Sequence, residues 1–358
     1  TLDDLSSGYN IDWNISVDEI FNAMMGFEEA EVREMFCYYQ QNDMLKGDVE
    51  AMITEMKPWY DNYCFARMSL NDDRVFNCDM TLYYLNYQVQ RGRSPEEMVD
   101  KNIRTDYSKL KMLARIDRDS VQEGDRMSTI EKIAAEGDIF VDLHTSFPAE
   151  RITDIDNFRS LLYYYGLLTM CGTRGDLIKM SIPNNCVREQ YFGFLRDYYQ
   201  KYSSIDLHYL NVMLTDMAYD GRWKPFFESV AQAYRENSAV RDAMEGERNL
   251  QGFLKAYLAL ASYYLVEPEL EMNYGYCDFF LLPDKKRYPD VKHSYILELK
   301  YATRTATDAE LEVQALEGRN QLLQYSEDKI VRCLSEGTTL HRLLLQFRGW
   351  DLVRCEEV

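Results

Sequence analysis

The sequence predicts an α+β protein with several domains: a mostly helical N-terminal part, a mixed connecting region and a C-terminal α/β domain. Its 358 residues exceed the roughly 100–200 residues of a single domain. Apolar residues recur mainly at helical spacing over 1–130, whereas 131–200 mixes helical and strand patterns. From about 240 to 348 the patterns follow the order helix, three strands, helix, strand, which is typical of a sheet covered by helices.

The N-terminal part is predicted to consist of short helices. Apolar residues at helical spacing indicate helices over Val17–Met25, Glu28–Tyr39 and Asp79–Gln90. Pro58 is expected to end the helical pattern of Met52–Met56, because proline lacks an N–H and clashes with the preceding turn.

The connecting region contains both kinds of pattern. Helices are predicted over Thr129–Glu136, Asp156–Tyr165 and Gln190–Gln200. Short apolar runs bounded by turn residues predict strands over Ile139–Leu143 and Leu177–Ile182.

The last third of the chain changes to longer elements. One long amphipathic helix is predicted first, then two strands joined by a tight Asn-Tyr-Gly turn, a third strand, a helix and a fourth strand. In chain order these are Ala239–Tyr264, Leu265–Met272, Tyr276–Leu282, Tyr295–Tyr301, Thr307–Tyr325 and Leu340–Phe347.

Composition and charge exclude several classes of protein. Hydrophobic residues make up 46% and charged residues 28%, which is ordinary for a globular protein. With 40 basic and 60 acidic residues the net charge is −20, so the protein should not coat nucleic acid or anionic membranes non-specifically. No apolar stretch reaches the roughly 18–20 residues of a membrane span, and no secretory signal is visible.

The cysteines indicate a reducing compartment. The eight Cys are irregularly spaced and form no C-x-x-C pair, so we interpret them as reduced, mostly buried thiols of a cytoplasmic protein. The sequence does not begin with Met and is compatible with a piece of a longer protein.

Three residues on two predicted strands carry the chemistry. In SYILELKY the two-residue strand period puts Glu298 and Lys300 on one face. Asp278 interrupts the apolar run of the preceding strand, and burying a carboxylate without a partner is costly. If the strands are adjacent, Asp278 and Glu298 can chelate Mg²⁺ or Mn²⁺, and Lys300 can activate water and stabilise charge on a phosphate. Glu247, early in the long helix, could reach the same place.

A simpler interpretation of these residues stays open. An E-x-K triplet is common and equally fits the solvated face of an edge strand. Gln321 and Tyr325 are four residues apart and therefore share one face of the next helix. They fit either the border of a site or a helix surface beside a core tyrosine.

The motifs as a set resemble a known family. Residues from about 240 to 348 are similar to the PD-(D/E)XK nuclease superfamily, in a branch fused to an AAA-ATPase-like domain in bacterial proteins. The matching stretches are GERNLQGFL, YGYCD, ILELK and QLLQY. At Gly275-Tyr276-Cys277 the chain lacks an arginine that is usual in this branch, so the affinity for substrate is expected to differ.

The resemblance implies a fold and a role for each residue. It implies a restriction-endonuclease-like domain with the order αβββαβ. The implied catalytic set is Asp278 and Glu298 as metal ligands, Lys300 as the catalytic lysine and Glu247 as a supporting acid. Gln321 and Tyr325 would border the site.

The resemblance extends to the first part of the chain. Ser6–Ile11, Lys57–Phe65 and Arg74–Leu85 are similar to later segments of the ATPase-like domain, with Asn62 where glycine is typical and Cys78 where proline is typical. It therefore assigns three domains. These are 1–130 as the C-terminal, mainly helical part of an ATPase-like domain, 131–200 as the connecting region, and 201–358 as the nuclease-like domain.

No ATP-binding residue is expected in this chain. A Walker A loop needs a Gly-Lys dipeptide, and the sequence contains none. The resemblance implies that the phosphate-binding parts would precede residue 1, so ATP is a cofactor only of a longer protein.

The leading hypothesis is a metal-dependent nuclease that uses Mg²⁺ or Mn²⁺. Its expected partner is nucleic acid, and DNA is expected rather than RNA. Binding is expected to be weak without the metal ion. A basic groove of Lys285, Lys286, Arg287 and Lys292 is expected to supply local attraction. No membrane partner is expected, and the oligomeric state stays open. The alternatives are a non-catalytic interaction or regulatory protein that keeps the nuclease fold, and a protein that is chiefly an ATP-driven switch.

Overall fold

The chain divides into two compact units in a computed structural model. Unit 1 comprises Thr1–Ile133 and Gly137–Phe194, and unit 2 comprises Ala134–Glu136 and Leu195–Val358. The residues that the structure describes are 15–72, 74–100, 107–114, 122–148, 151–152, 154–200, 205–236, 246–272 and 275–358. The motif at Ser6–Ile11 therefore lies outside the described residues.

Unit 1 is mostly helical, and its described residues form two small antiparallel sheets, one of two strands and one with the order β3-β5-β4. Its helices are α1 (Glu29–Gln41), α2 (Val49–Tyr60), α3 (Cys78–Arg91), α4 (Tyr107–Ala114), α5 (Gln122–Glu136), α6 (Ile155–Tyr164) and α7 (Asn185–Tyr199), of which α5 and α7 cross the division between the units. Its strands are β1 (Phe27–Glu28), β2 (Val75–Phe76), β3 (Asp138–Val141), β4 (Thr169–Arg174) and β5 (Leu177–Ser181).

Two predictions for unit 1 are wrong. The helix predicted over Val17–Met25 is only a single 3₁₀ turn, Glu19–Phe21, which Asp18 caps by accepting the Ile20 N–H at 3.0 Å. Pro58 does not end a helix, because α2 continues to Tyr60. Proline already has a helical φ, so the helix can continue through Pro58 with the loss of one backbone hydrogen bond.

Asn62 and Cys78, where the resemblance noted above would lead one to expect glycine and proline, occupy special backbone positions. Asn62 has φ of 84°, in the left-handed region that favours glycine. Its side chain donates to the Pro183 carbonyl at 2.9 Å, which partly offsets the cost of that conformation. Cys78 is the first residue of α3, directly after the N-cap Asn77, and this is the helix position that favours proline. Both positions thus keep the backbone conformation that the usual residues would impose.

Unit 2 is a five-stranded mixed sheet with helices on both faces. Its helices are α8 (Leu207–Asp220), α9 (Lys224–Glu236), α10 (Glu247–Leu258), α11 (Asp308–Ser326) and α12 (Lys329–Leu334), and its strands are β6 (Tyr264–Met272), β7 (Gly275–Pro283), β8 (His293–Ala302), β9 (Thr339–Arg348) and β10 (Asp351–Glu357). The strand order is β10-β9-β8-β7-β6, with β8 and β9 parallel and the other neighbours antiparallel.

The central strand β8 alternates between the two helical layers. Ile296 packs with Leu322 and Tyr325 of α11 in one apolar cluster. Tyr295 points to the other layer, where its hydroxyl donates to the Met217 carbonyl of α8 at 2.6 Å. Both faces of β8 are therefore covered, so a charged residue in this strand lies in a largely desolvated place.

The predicted order of elements from α10 to β9 is observed, but one boundary is wrong. The helix predicted over Ala239–Tyr264 ends at Leu258, and Tyr264 already begins β6. Its first part, up to residue 245, lies outside the described residues, as do residues 273–274 of the predicted tight turn. The cause is the apolar run across 256–266, in which periodicity cannot separate the end of a helix from the start of a strand.

Several elements were not predicted. They are α4, α8, α9, α12, β1, β2, β4 and β10. For α8 the signals were present, because Asp206 caps it by accepting the His208 N–H at 2.9 Å and Gly221 ends it with φ of 69°.

The cysteines are less buried than predicted. All eight are thiols rather than disulfide partners, but only Cys64, Cys186 and Cys277 are buried. Within the described residues, no helix combines the length and the apolar character that crossing a membrane requires.

Candidate active site

The site lies where the pairing of two neighbouring strands of unit 2 ends. Strands β6 and β7 pair along their whole length, and so do β8 and β9. In contrast, β7 and β8 pair only from Phe279–Leu297 to Leu281–Tyr295. Beyond Leu297 the backbone pairing of the two strands ends, and we call the region between 275–278 of β7 and 298–302 of β8 the fork.

Asp278 stands at the point where this pairing ends and bridges the two strands. Its Oδ2 accepts the backbone N–H of Leu299 at 2.7 Å, and its Oδ1 accepts Nε2 of Gln251 from α10 at 3.1 Å. The carboxylate thus replaces a strand-pairing hydrogen bond. Because the N–H and C=O of a residue in an extended strand point to the same side, the Leu299 carbonyl also faces the fork.

Glu298 is a buried carboxylate that is only half satisfied. It is 4% exposed, and its Oε1 accepts Lys300 Nζ at 2.8 Å. Its Oε2 is buried and accepts no hydrogen bond from any residue that the structure describes. Burial first, and then the negative charge of Asp278, raise the pKa of Glu298 from 4.5 to about 7, although Lys300 acts in the opposite direction.

Lys300 is held between the strand and α11. Its Nζ also donates to Oε1 of Gln321 at 2.7 Å. Gly318 allows this close approach, because a Cβ there would lie 2.7 Å from Leu344 Cδ1 and 3.3 Å from Lys300 Cε. The ammonium group therefore has a fixed position beside Glu298.

Tyr325 borders the same place from α11. Its side chain is 2% exposed, and burial followed by the negative charge of Glu298 raises the pKa of its hydroxyl to about 12. A hydrogen bond with Gln321 lowers that pKa in part. Tyr325 is therefore a neutral hydroxyl at neutral pH.

Glu247 lies at the exposed margin of the site, at the first position of α10. The pKa of Glu247 is raised mainly because surrounding protein atoms displace water from its carboxylate, and secondly by the negative charge of Asp278. Lys300 acts in the opposite direction and lowers this pKa. The structure thus brings all six residues predicted from the sequence into one electrostatic neighbourhood. Two others were missed, Gln251 and Gly318. The signals were weak, since Gln251 is one helical turn after Glu247 and Gly318 is a glycine inside a helix, which usually marks a close approach.

The chemistry of these groups fits a divalent cation. The negative charge of Asp278 raises the pKa of the Glu298 carboxyl group. One buried oxygen, Glu298 Oε2, lacks a partner that a cation would supply. Among the described residues, no group of three or more His, Cys, Asp or Glu could hold a metal ion. The remaining ligands would therefore be the Leu299 carbonyl and water, which suits Mg²⁺ because it usually keeps several waters.

The expected basic groove does not border the site. Lys285, Lys286, Arg287 and Lys292 lie in the loop between β7 and β8, at the end of these strands away from the fork. From Asp278 to the end of β7, five strand residues at about 3.3 Å each span roughly 17 Å. The side chain of Lys285 instead donates to the Val291 carbonyl within that loop.

Comparison with known proteins identifies the same part of the chain. Residues 245–357 match the family model of the PD-(D/E)XK nuclease superfamily. This range contains α10, the five-stranded sheet and all the site residues described above. The match gives no support to the ATPase-like resemblance, which concerns residues before it. No curated protein and no solved structure matches the chain.

Proposed function

We propose that unit 2 hydrolyses phosphodiester bonds of nucleic acid with Mg²⁺ or Mn²⁺ as cofactor, and that its substrate is DNA rather than RNA. The observation that carries the proposal is the buried Glu298 carboxylate, whose Oε2 accepts no hydrogen bond from the described residues, beside Asp278 and Lys300 in the fork. The match to a nuclease superfamily supports this class of reaction.

Asp278 and Glu298 would hold the metal ion. When bound, a divalent ion polarises the phosphate and lowers the pKa of water. Glu298 must be deprotonated to act as a ligand, and Gln251 and the Leu299 N–H fix the Asp278 carboxylate in the fork.

Lys300 would act on the attacking water and on the phosphate of the substrate. Its ammonium group orients the attacking water and neutralises charge that develops on the phosphate. Gln321 and Glu298 hold it in place, which reduces the reorganisation needed for reaction. Glu247 at the margin supports proton transfer from water, and the Tyr325 hydroxyl borders the phosphate position.

Cleavage assays with matched variants test this proposal. Labelled single- and double-stranded DNA and RNA are incubated with Mg²⁺ or Mn²⁺ and the wild-type protein, Lys300→Ala or Lys329→Ala. We expect Lys300→Ala to reduce the cleavage rate by about 100-fold or more, since a fixed charge at the reacting phosphate is lost. Lys329→Ala removes an exposed lysine of α12 and should cleave normally. Absence of cleavage by the wild type, or full activity of Lys300→Ala, would exclude this function.

One observation favours a second candidate, a non-catalytic interaction or regulatory protein. Lys300 already satisfies Glu298 Oε1 and Gln321 through an internal ion pair and hydrogen bond, as in a purely structural network. Titration calorimetry separates the two candidates. Binding of Mn²⁺ that Glu298→Gln abolishes supports the nuclease, and no heat of binding with the wild type supports the scaffold.

We also infer the domain assignment and the absence of ATP binding. Residues 1–130 would be the helical part of an ATPase-like domain, 131–200 the connecting region and 201–358 the nuclease-like domain. Asn62 has a left-handed backbone conformation, which favours glycine, and Cys78 occupies the first position of a helix, which favours proline. Both observations support the first assignment. Because the chain has no Gly-Lys dipeptide, ATP added in calorimetry should give no heat of binding. Binding of ATP would favour the switch hypothesis instead.

A further inference from the structure

Unit 1 contains an aromatic cavity whose residues take no part in the proposed function. We propose that this cavity binds a small organic cation, in which a protonated or quaternary nitrogen is attached to an apolar body. All of the residues that line the cavity belong to unit 1, so the proposal does not depend on the nuclease activity of unit 2.

The cavity has the size of a small-ligand site and opens to solvent. Its volume is about 550 Å³, within the roughly 300–1,000 Å³ that is usual for such sites. Five segments of the chain contribute to its lining, and they come from 15–25, 59–65, 77–80, 163–167 and 184–190. Met24 and Met25 line the cavity and are 59% and 71% exposed, so its mouth reaches solvent.

A continuous row of four aromatic rings forms part of the lining. The rings of Tyr63 and Phe65 are stacked, with their centroids 5.8 Å apart and their planes at 14°. Tyr163 meets Phe65 edge to face at 6.4 Å, and Tyr164 meets Tyr163 in the same way at 5.1 Å. The Tyr163 hydroxyl donates to the Phe65 carbonyl at 2.7 Å, which fixes the Tyr163 ring in this row. The faces of such rings carry partial negative charge and attract cations.

The charge of the lining also favours a cation. Asp79 of α3 lines the cavity, and no residue of the lining is Lys, Arg or His. The Asp79 carboxylate is exposed and forms no ion pair with any residue that the structure describes. An acidic residue in the first turn suits the dipole of any helix, so the inference rests on the combination of Asp79 with the aromatic row. A positively charged nitrogen would be attracted by both, and no side chain of the lining would repel it.

The apolar part of the ligand would lie against the methionine and aromatic side chains. Met24, Met25 and Met80 all line the cavity, and methionine adapts to ligands of different shape because its side chain is unbranched and flexible. A small inorganic cation would lose more hydration in such surroundings than the rings and one exposed carboxylate replace. The lining therefore suits an organic amine better than a metal ion.

Ligand-observed NMR titrations of the full chain in EDTA at pH 7 test the proposal. The three probes share a phenyl body and differ in charge: 2-phenylethylammonium, the neutral 2-phenylethanol and the anion 3-phenylpropionate. The variants are Phe65→Leu, which removes a ring but keeps apolar volume, and Asp79→Asn. Their matched controls are Tyr38→Leu and Asp72→Asn, at exposed residues of unit 1 that do not line the cavity. Melting temperatures establish which variants are folded.

We expect the wild type to bind the ammonium probe about 5- to 30-fold more tightly than the alcohol, because the ring faces and Asp79 attract only the charge. Phe65→Leu should weaken binding of the ammonium probe about 5-fold and that of the alcohol by about twofold or less. Asp79→Asn should weaken binding of the ammonium probe about 3-fold, and less in high salt, because Asp79 is exposed. The anion should not bind measurably, and both controls should match the wild type.

The outcomes distinguish a cation site from a merely apolar cavity. Binding of the alcohol as tight as that of the ammonium probe overturns the proposal, and so does the absence of binding by all three probes. Binding of the ammonium probe that no folded cavity variant weakens also overturns it, because the probe then binds elsewhere on the protein. If Phe65→Leu does not fold, Asp79→Asn and its control decide this point. Cleavage by unit 2 is tested separately by Lys300→Ala.

Discussion

Glu298 combines a buried position with a negative charge that Lys300 stabilises only in part. Its folded pKa of about 7 lies above the ordinary 4.5, so the contribution of Glu298 to the stability of the metal-free protein is fully present below pH 4.5 and is lost as pH rises through 7. The shift corresponds to a loss on the order of 3 kcal/mol above pH 7. Glu298→Gln should therefore be more stable than wild type at pH 8 and similar at pH 4.5.

Denaturant unfolding in EDTA at several pH values measures this difference. Glu327→Gln, an exposed carboxylate in the same unit, is the control and should follow the wild type. Adding Mn²⁺ should reverse the order, since only the wild type can bind it. If Glu298→Gln is no more stable at pH 8, the carboxylate is better solvated than its burial indicates.

Gly318 is a second residue with a specific role, because it sets the distance between α11 and Lys300. We expect Gly318→Ala to lower the cleavage rate at least tenfold, since the added methyl group contacts Leu344 and displaces Lys300 from Gln321. The kinetics of the single variant are compared with those of Gly318→Ala/Leu344→Ala. The double variant should recover much of the rate because the closest contact is removed. A fully active single variant would mean that α11 shifts without moving Lys300.

At the scale of single elements, the start of α3 offers a stabilising substitution. Cys78→Pro should raise the free energy of unfolding by about 0.4–1 kcal/mol, because proline fits the first helical position and restricts the unfolded chain. Urea denaturation measures the change, and Cys78→Ala shows the effect of losing the thiol alone. Destabilisation by proline relative to alanine would mean that the Cys78 N–H has a needed partner.

The N-terminal ends of β8 and β9 are linked to β10 by a chain of side chains. His293 Nδ1 lies 2.9 Å from His341 Nε2, and His341 Nδ1 lies 2.7 Å from Glu357 Oε1. Burial first, and then His341, lower the pKa of His293 below 6.5, so stability is lost as pH falls below 6.5. His293→Gln should flatten that loss in denaturant unfolding between pH 5 and 6.5. An unchanged slope would assign the loss to other groups. The pH dependence of stability that arises from His293 is opposite in sign to the one that arises from Glu298. Comparing His293→Gln with Glu298→Gln distinguishes the two contributions.

The elements show which parts of the fold a sequence pattern can predict. Strand β8 was predicted almost to its ends, because alternation within SYILELKY is a local property. Glu298 and Lys300 follow from that same two-residue period, and Asp278 follows from its position within the apolar run of the preceding strand. The end of α10 was not predictable within the apolar run that follows it. The positions of Gln251 and Gly318 in the site depend on how separate elements meet, which no local pattern records.

At the scale of the whole molecule, the two units should respond separately to their own ligands and substitutions. The proposed metal ligands Asp278 and Glu298 both belong to unit 2. Saturating Mn²⁺ should therefore raise the midpoint of one thermal transition, and Cys78→Pro should raise that of the other. Scanning calorimetry of the full chain measures both. A single transition that Mn²⁺ and Cys78→Pro both shift would mean that the units unfold as one.

The hydrogen bond from Leu299 to Asp278 also bears on how such a protein could change during evolution. A lineage that abandoned catalysis would be free to replace Glu298 with an apolar residue, which removes a buried charge. At position 278 it would still need an acceptor for the Leu299 N–H, so asparagine or serine would be tolerated better than valine. Relatives with an apolar residue at 298 and an acceptor retained at 278 would thus be recognisable as former enzymes that now serve as scaffolds.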